Sequence, residues 1–483
     1  MVSSQRDSSG KLIVDSIHGD IHLKKREVQV IDTASFQRLR KLKQLAMAQM
    51  VYPTATVTRF AHSIGALGTM IRILQAAKEN GIKFKEEQEQ NLRLAALLHD
   101  VGHYPYSHLM EKVDWVEPTE KRIERPADVR KSLDAAKSTY PSHEEVGRLI
   151  VTSQPDLLKA IGNEDRAKAV TDIFTRSEAA DPQLSKLIHS SFDIDRWDYL
   201  LRDSYATGVP YGQIDINYLL NNLKVSPQGM VGFRDKALAA VEHFLLARFF
   251  MHRVVYYHKT TFGLEEACRQ LLRRLRDRES KNYRVPLDGE AIREIAQSPE
   301  KLSEFTDAFV DKIIQKATTD EDVVIRTLAS SIQNRRPPAL LNEVSVCEET
   351  ERQYHRGKTF MQNCMTKLNG LAKEFKIPLG QFLLCAPKVN VMKLPQENTY
   401  GQLAKLSPED IRKKAFEEEE EDIKVFKRDK EEPVSLMDVE YSLVVKYAKY
   451  SLQMFRLYVV YEGEDKDSVI GQLCERVKDW DTA

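Results

Sequence analysis

The 483-residue sequence is poor in cysteine, has no surplus of either charge and contains no long apolar run. Its five cysteines are Cys268, Cys347, Cys364, Cys385 and Cys474. The number is odd and no two stand at CxxC spacing, which argues against a disulfide framework and a cysteine-based zinc site. Lys+Arg and Asp+Glu are both 72, so the formal net charge is zero. That speaks against a chain-wide nucleic-acid or membrane-surface binder, although a local basic patch fits the same sum. No apolar stretch approaches the ~20 residues that span a bilayer, and the opening MVSSQRDSSGK lacks the apolar centre of a signal peptide. A soluble, reducing compartment is expected: cytoplasm, or nucleus in a eukaryote. Apolar residues at 42% and charged residues at 30% supply a buried core and exclude wholesale disorder. The length suits two to four domains, or one large domain with an appended lobe.

Helical periodicity dominates the first two-thirds. In SFQRLRKLKQLAMA (35–48), Phe36, Leu39, Leu42 and Leu45 recur at three-residue steps, which predicts one helix face. Helices are also expected over 64–78, 89–100, 144–152, 184–203, 237–259 and 263–278. The polar stretch 116–142 reads as a loop or insertion. Arg-Arg-Pro-Pro at 335–338 disfavours helix and marks a boundary. Beyond it, 382–394 and 454–461 have the β-branched and aromatic density of strands, and six consecutive acids, Glu417–Asp422, read as a solvated face. The expected architecture is mainly α: a helical core over 1–335 and a smaller mixed α/β lobe over 336–483 that supports oligomerisation.

Four segments carry the chemistry: RFAHSIG (59–65), HDVGHYPYSH (99–108), SHEE (142–145) and DIDRWDYLLRD (193–203). The apolar LRLAALL before His99 marks a buried helix, which Gly102 and Pro105 stop. An unpaired Asp100 at its end would cost several kcal/mol. A divalent metal resolves this by taking His99, Asp100, a further His and a further carboxylate. Such a set suits Mn, Fe or Zn with positions left for water or phosphate. Asp193 reads as a helix cap, Asp198 as a surface acid, and His18 as structural. His189, His243, His252 and His258 read as structural or regulatory.

The ordered pattern H…HD…D resembles the HD-domain metal-dependent phosphohydrolases. With DSIHGDI (15–21), IDTASFQRLRKLKQL (31–45), YPTATVTRFAHSIG (52–65) and RVVYYHK (253–259), the chain is similar to the deoxynucleoside triphosphate triphosphohydrolases, the sterile-alpha-motif-and-HD-domain dNTPases and their bacterial relatives. The likeness runs from about residue 11 to about 280 and includes no sterile-alpha-motif domain. It implies a helical HD core and hydrolysis of dNTPs to deoxynucleoside and tripolyphosphate. It makes His62, His99, Asp100 and Asp195 metal ligands, the metal being Mn, Fe, Zn or Mg, with Mg on the triphosphate. Arg59, Arg196, Tyr199, Arg248 and Lys259 would hold phosphates. His103 would contact the α-phosphate, and His108 would protonate the leaving 5′-oxygen, backed by Glu111 and His143. Arg59 and Arg196 could instead pair with nearby acids, and Tyr199 and Tyr256 could be core aromatics.

The resemblance also assigns the sugar end. Gln44 and Asp203 match residues that bond a 3′-hydroxyl; Leu45 and Tyr256 match residues that crowd the 2′ position, where a buried hydroxyl without a partner costs ~1–3 kcal/mol. Tyr257 replaces a glutamine beside the base, and Ala61 replaces an acid beside His62. GTP or dNTP activators between subunits of a homodimer or homotetramer would use Asp32, Gln37 and Arg40 in one pocket and Val51, Tyr52, His258 and Lys259 in another. Asp32 could equally cap the following helix. Val14, Tyr218 and Val254 stand where activated relatives carry polar or basic residues. Competing readings are a nuclease, nucleotide phosphatase or cyclic-nucleotide phosphodiesterase on the same site, or a nucleotide sensor or single-stranded nucleic-acid binder.

Overall fold

The computed structural model describes residues 10–81, 84–113, 139–177, 193–226, 231–278, 283–349, 355–390, 423–428, 430, 432–448 and 450–482. The fold is mainly α, with small sheets among the described residues. A hairpin of β1 (Lys11–Asp15) and β2 (Gly19–Leu23) leads into α1 (Lys25–Ile31). The buried Glu27 of α1 accepts hydrogen bonds from Arg93 at 2.5 and 2.8 Å, fastening the hairpin to the core. Helix α2 (Arg59–Glu79) starts where the Thr58 hydroxyl accepts the Ala61 N–H. Helix α3 (Glu86–Leu98) carries LRLAALL inward, and His99 caps its end. Helix α4 (His143–Ser153) is capped by Ser142, and α5 (Ile194–Thr207) by Asp193. Gly208, at φ +72°, ends α5. Helices α6 (Leu238–Met251), α7 (Lys259–Asp277), α8 (Asp307–Ala317) and α9 (Val323–Gln333) follow, and further helices, among them Glu164–Thr175 and Gly289–Gln297, pack in the same core.

Eight further strands are described: β3 (Leu223–Val225), β4 (Val231–Arg234), β5 (Ala339–Glu349), β6 (Phe382–Cys385), β7 (Lys388–Asn390), β8 (Lys424–Phe426), β9 (Val434–Ser435) and β10 (Tyr450–Val459). One sheet has β10 between β5 and β6, all antiparallel, with β7 also on β10. Helices α10 (His355–Glu374) and α11 (Lys466–Val477) bury Phe360, Leu368 and Leu473 in one cluster with Phe455 and Leu457 of β10. The other sheet runs β3-β4-β8-β9, and β4 pairs in parallel with β8.

Several expected elements differ. Phe36, Leu39 and Leu42 are fully buried, so the stripe over 35–48 is real. The backbone is not one α-helix: a turn of α-helix, Ala34–Gln37, passes into a 3-10 turn, Arg38–Lys41, and Leu42 is extended. An unbroken three-residue step is the period of a 3-10 helix rather than of an α-helix. The chain then pairs across itself, Gln44 N–H donating to Val57 O and Arg59 N–H to Leu42 O, both at 2.8 Å. The helix expected over 237–259 breaks into α6, a π turn at His252–Tyr256, and α7. The strand expected over 382–394 divides at Pro387, which has no N–H for the ladder; 391–394 lie outside the described residues. So do 184–192 of the helix expected over 184–203, 116–138 of the expected loop, and the acidic run. Residues 139–142 lead into α4, with Tyr140 buried. All five cysteines are free, and among the described residues no helix is long and apolar enough to cross a membrane.

One side chain fixes the loop after α3. Arg38 is 3% exposed, and its guanidinium donates to Phe305 O at 2.7 Å and to Val101 O and His103 O at 2.9 Å each. Burial lowers its pKa to about 10, so it stays charged at neutral pH. Each buried acceptor stripped of its donor costs ~1–3 kcal/mol. Arg38→Met should therefore lower stability by about 3 kcal/mol or more, read as a drop in the urea midpoint; a shift under ~0.5 kcal/mol would contradict the anchoring.

Candidate active site

Four side chains from three helices converge on one buried point. His62 comes from the first turn of α2, His99 and Asp100 from the end of α3, and Asp195 from the first turn of α5. His62 Nε2 lies 3.3 Å from His99 Nε2, 2.9 Å from Asp195 Oδ1 and 3.4 Å from Asp100 Oδ2. His99 Nε2 lies 3.4 Å from Asp100 Oδ1 and 3.9 Å from Asp195 Oδ1. Both histidines are oriented from behind: His99 Nδ1 donates to Ala96 O at 2.8 Å, and His62 Nδ1 to Asp198 Oδ2 at 2.7 Å. The ring nitrogens left over, both Nε2, face each other. Burial pulls His62 down, but hydrogen bonds to Asp195 and Asp198 and the charge of Asp100 outweigh it and raise its pKa to about 10. Two facing imidazoles between two carboxylates call for positive charge, and a divalent metal supplies it with the right donors. Asp195 is the accessible member, its side chain 37% exposed, so the centre opens on that side.

Behind the ligands stands a buried relay that sequence reasoning missed. Asp198 is fully buried, not the surface acid expected. Its Oδ1 accepts from His18 Nε2 at 2.8 Å and from Arg202 Nη2 at 2.7 Å, and Arg202 also reaches Asp15. Burial works against the Asp198 charge, but the Arg202 guanidinium and the His18 and His62 bonds hold its carboxyl far below the carboxylate range. The spacing was legible: Asp195, Asp198 and Arg202 share a helix face at i, i+3, i+7. Gly65 in RFAHSIG is the second signal, since a Cβ there would collide with Asp198 Oδ1 and Arg202 Nη2.

A second cluster adjoins Asp100. His103 Nε2 lies 3.1 Å from Asp100 Oδ1, and its ring stacks on His143 at 4.1 Å. Burial, with Arg59 and His143, drives the His103 pKa well below its ordinary value, leaving it neutral. Glu111 joins the remaining pair, accepting from His108 Nδ1 at 2.7 Å and from His143 Nδ1 at 3.0 Å. Burial lowers His143, yet Glu111 and Glu144 outweigh it and raise its pKa to about 9. The His108 side chain is 53% exposed, at the mouth. Gly102 lets the start of α4 dock, because a Cβ there would overlap His143 O and Gly147 N.

The expected phosphate residues fall into two states. Arg59 is buried and engaged, Nη1 to Asp100 Oδ2 at 2.7 Å and Nε to Ser107 Oγ at 3.0 Å. Arg196 sits 3.5 Å from Asp193, and Arg248 Nη2 is 3.3 Å from Asn390 O. Tyr199, raised by burial, feels both arginines and packs edge-on against Tyr256 at 6.1 Å. At the sugar end, Tyr256 Oη donates to Asp203 Oδ2 at 2.8 Å. Burial raises Asp203 to about 7 despite that bond. Gln44 Oε1 and Asp203 Oδ1 are buried without a hydrogen-bond partner among the described residues. Leu45, Ala48 and Ala55 form an apolar group with Tyr52 and Tyr256 packed on it. The Tyr257 hydroxyl is instead 3.3 Å from Lys388 O.

The activator candidates form two groups. Gln37 Oε1 accepts from Arg40 Nε at 2.7 Å, while Asp32 pairs with Lys11 at 3.4 Å in an exposed contact. Asp32 is the C-cap of α1; Thr33, not Asp32, caps the next helix, its hydroxyl accepting Phe36 N–H. Tyr52 bonds Val254 O at 2.8 Å and meets the His258 ring at 5.8 Å, close to Val51 and Lys259 in the chain.

Residues 59–203 match the HD domain family, and residues 214–320 match the HD associated region. This is an HD-domain protein. It is 32% identical over 253 residues to an uncharacterized protein of Methanocaldococcus jannaschii, covering 52% of this chain and 46% of that one. It is 28% identical over 267 residues to the deoxynucleoside triphosphate triphosphohydrolase SAMHD1 of Homo sapiens, covering 52% and 42%. The HD-domain protein thus spans about half the length of these curated relatives. A crystal structure of a phosphohydrolase from Bacteroides thetaiotaomicron shares the fold, with a TM-score of 0.68 at 20% identity over 93% of this chain and 99% of that chain. Family and His/Asp set together support a hydrolase that holds a divalent metal.

Because Asp198 sets the tautomer of His62, Asp198→Asn should weaken divalent-metal affinity ~10–100-fold with the helical content preserved. Calorimetric titration of metal into chelator-treated protein checks this; unchanged affinity would show the relay to be structural only.

Proposed function

We propose that this HD-domain protein hydrolyses deoxynucleoside triphosphates to deoxynucleoside and inorganic tripolyphosphate. The observation that carries the reading is the sugar-end arrangement: two buried acceptors without a partner among the described residues, Gln44 Oε1 and Asp203 Oδ1, beside the apolar group of Leu45 and Tyr256. A 3′-hydroxyl, with its one proton, would satisfy one of them. A 2′-hydroxyl against Leu45 and the Tyr256 ring would be stranded, at ~1–3 kcal/mol. A polynucleotide, whose 3′ oxygen is esterified, has no such proton to offer.

When bound, a divalent metal (Mn, Fe, Zn or Mg) at His62, His99, Asp100 and Asp195 supplies Lewis-acid polarisation of a phosphoryl oxygen and of the attacking water. The chain does the rest. Arg59, Arg196, Arg248 and Lys259, with Tyr199, hold a Mg-bearing triphosphate. His103 touches the α-phosphate. Glu111 holds His108 by Nδ1, which leaves Nε2 to pass a proton to the 5′-oxygen as the Pα–O5′ bond breaks. One water is consumed. The reading extends to a homodimer or homotetramer activated by GTP or a dNTP at the Asp32–Gln37–Arg40 and Val51–Tyr52–His258–Lys259 groups.

Metal-loaded protein should convert dNTPs, singly or mixed, to deoxynucleoside and tripolyphosphate, resolved by ion exchange, and leave ATP and GTP intact. The His99→Ala, Asp100→Ala double variant should convert none of these nucleotides. Turnover only in the mixture or with added GTP would assign the activator role; no turnover of any dNTP under any of these conditions would sink the proposal.

The His143 pKa is raised in the fold, so the stability of its Glu111 pair is fully present below pH ~6.5 and is lost as pH rises through about 9. Since that pair orients His108, kcat should fall along the same limb. His143→Ala should remove the limb; an identical alkaline limb in the variant would exclude His143 as its origin.

A further inference from the structure

One carboxylate of the HD associated region ties two segments beside the site to each other. Asp307, in the first turn of α8, is 4% exposed. An acid at a helix start ordinarily serves its own helix. Asp307 spends its oxygens elsewhere: Oδ2 accepts the Lys43 N–H at 3.0 Å, and Oδ1 accepts the Tyr106 N–H at 2.7 Å. The two segments it joins both border the site, since Lys43 precedes Gln44 and Leu45, and Tyr106 lies two residues before His108. Further bonds tie the same pair. Ser107 Oγ donates to Lys43 O at 2.8 Å, and the Lys43 ammonium lies 5.7 Å from the Tyr106 ring centroid. One turn along α8, Asp311 Oδ1 accepts from Tyr106 Oη at 2.5 Å.

What the clamp holds is strained. Tyr106 and Ser107 stand at φ +53° and +55°, where an L side chain costs of order 1–3 kcal/mol each. Such a backbone persists only where its surroundings over-determine it. Here the restraint on Tyr106 N–H comes from Asp307, and the residue that leaves the strained pair is His108.

We propose that Asp307 is a positioning residue: it fixes the acid-bearing segment 106–108 against the sugar-reading segment 43–45, so that proton donor and sugar are set in one frame. This rests on the hydrolase reading above. Without the clamp, Tyr106 and Ser107 relax toward negative φ and His108 swings from the leaving oxygen, while the four metal-side residues keep their places.

The test is a leaving-group comparison. Asp307→Asn keeps the shape but presents one N–H with a donor instead of an acceptor. With a dNTP, whose alkoxide must be protonated as it leaves, kcat should fall about 100-fold, the scale of a ~1 Å misplacement. With bis(p-nitrophenyl) phosphate, whose phenolate leaves without a proton, it should fall less than about 5-fold, at unchanged metal content. Hydrogen exchange should quicken together in peptides covering 38–48 and 101–113. Equal losses on both substrates, or unchanged exchange in either peptide, would overturn the proposal. Should Asp307→Asn fail to fold, Asp307→Glu keeps both acceptors on an arm one methylene longer and carries the same comparison. A wild-type protein that cleaves the diester and no dNTP overturns the dNTP reading alone; a series of esters of rising leaving-group basicity then decides on Asp307.

Discussion

A carboxylate taken out of water must be surrounded by positive charge and donors, or it will not stay ionised. Asp100, 2% exposed, is that carboxylate here. Arg59 comes to it from α2 at 2.7 Å, His103 from the following turn at 3.1 Å, and His62 and His99 at 3.4 Å. Burial opposes its charge, and Arg59, His99 and His103 together hold its pKa well below the ordinary value. Arg59 from α2 and three histidines from α2, α3 and the following turn all close on that charge.

The HD associated region is thereby more than a neighbour of the HD domain. Phe305 supplies a carbonyl to Arg38, and Asp307 supplies a carboxylate to two site segments. Both contacts fall within the matched span 214–320. The helical layer that follows the histidines thus holds their backbone in a shape the segment would not adopt by itself.

Much of this was legible in the sequence, for identifiable reasons. Histidine and aspartate at the end of a buried apolar helix declare a charge problem, and that pointed to the segments that converge. The fold class followed from periodicity. What escaped was whatever periodicity does not encode. The three-residue stripe at 36–45 marks burial equally well in a 3-10 turn and in an α-helix. The π turn at 252–256, which precedes the break before α7, has no compositional mark distinguishing it from continuous helix. Asp198 looked like a surface acid because its partners, His18 and Arg202, are 180 and four residues away. Asp307 carries no local motif at all; its meaning lies in contacts 264 and 201 residues back along the chain.

Those separations bear on the order in which the protein is made. A chain emerging from the ribosome presents His62, His99, Asp100 and Asp195 long before residues 305–311 exist, and domains generally fold as they emerge. For that interval the Arg38 guanidinium lacks Phe305 O, and the Tyr106 and Lys43 amides lack Asp307. The loop beside the ligands therefore cannot take its final shape until residues 305–311 have been made. The backbone beside the centre is completed from far along the chain, when a helix of the second half docks onto segments made in the first.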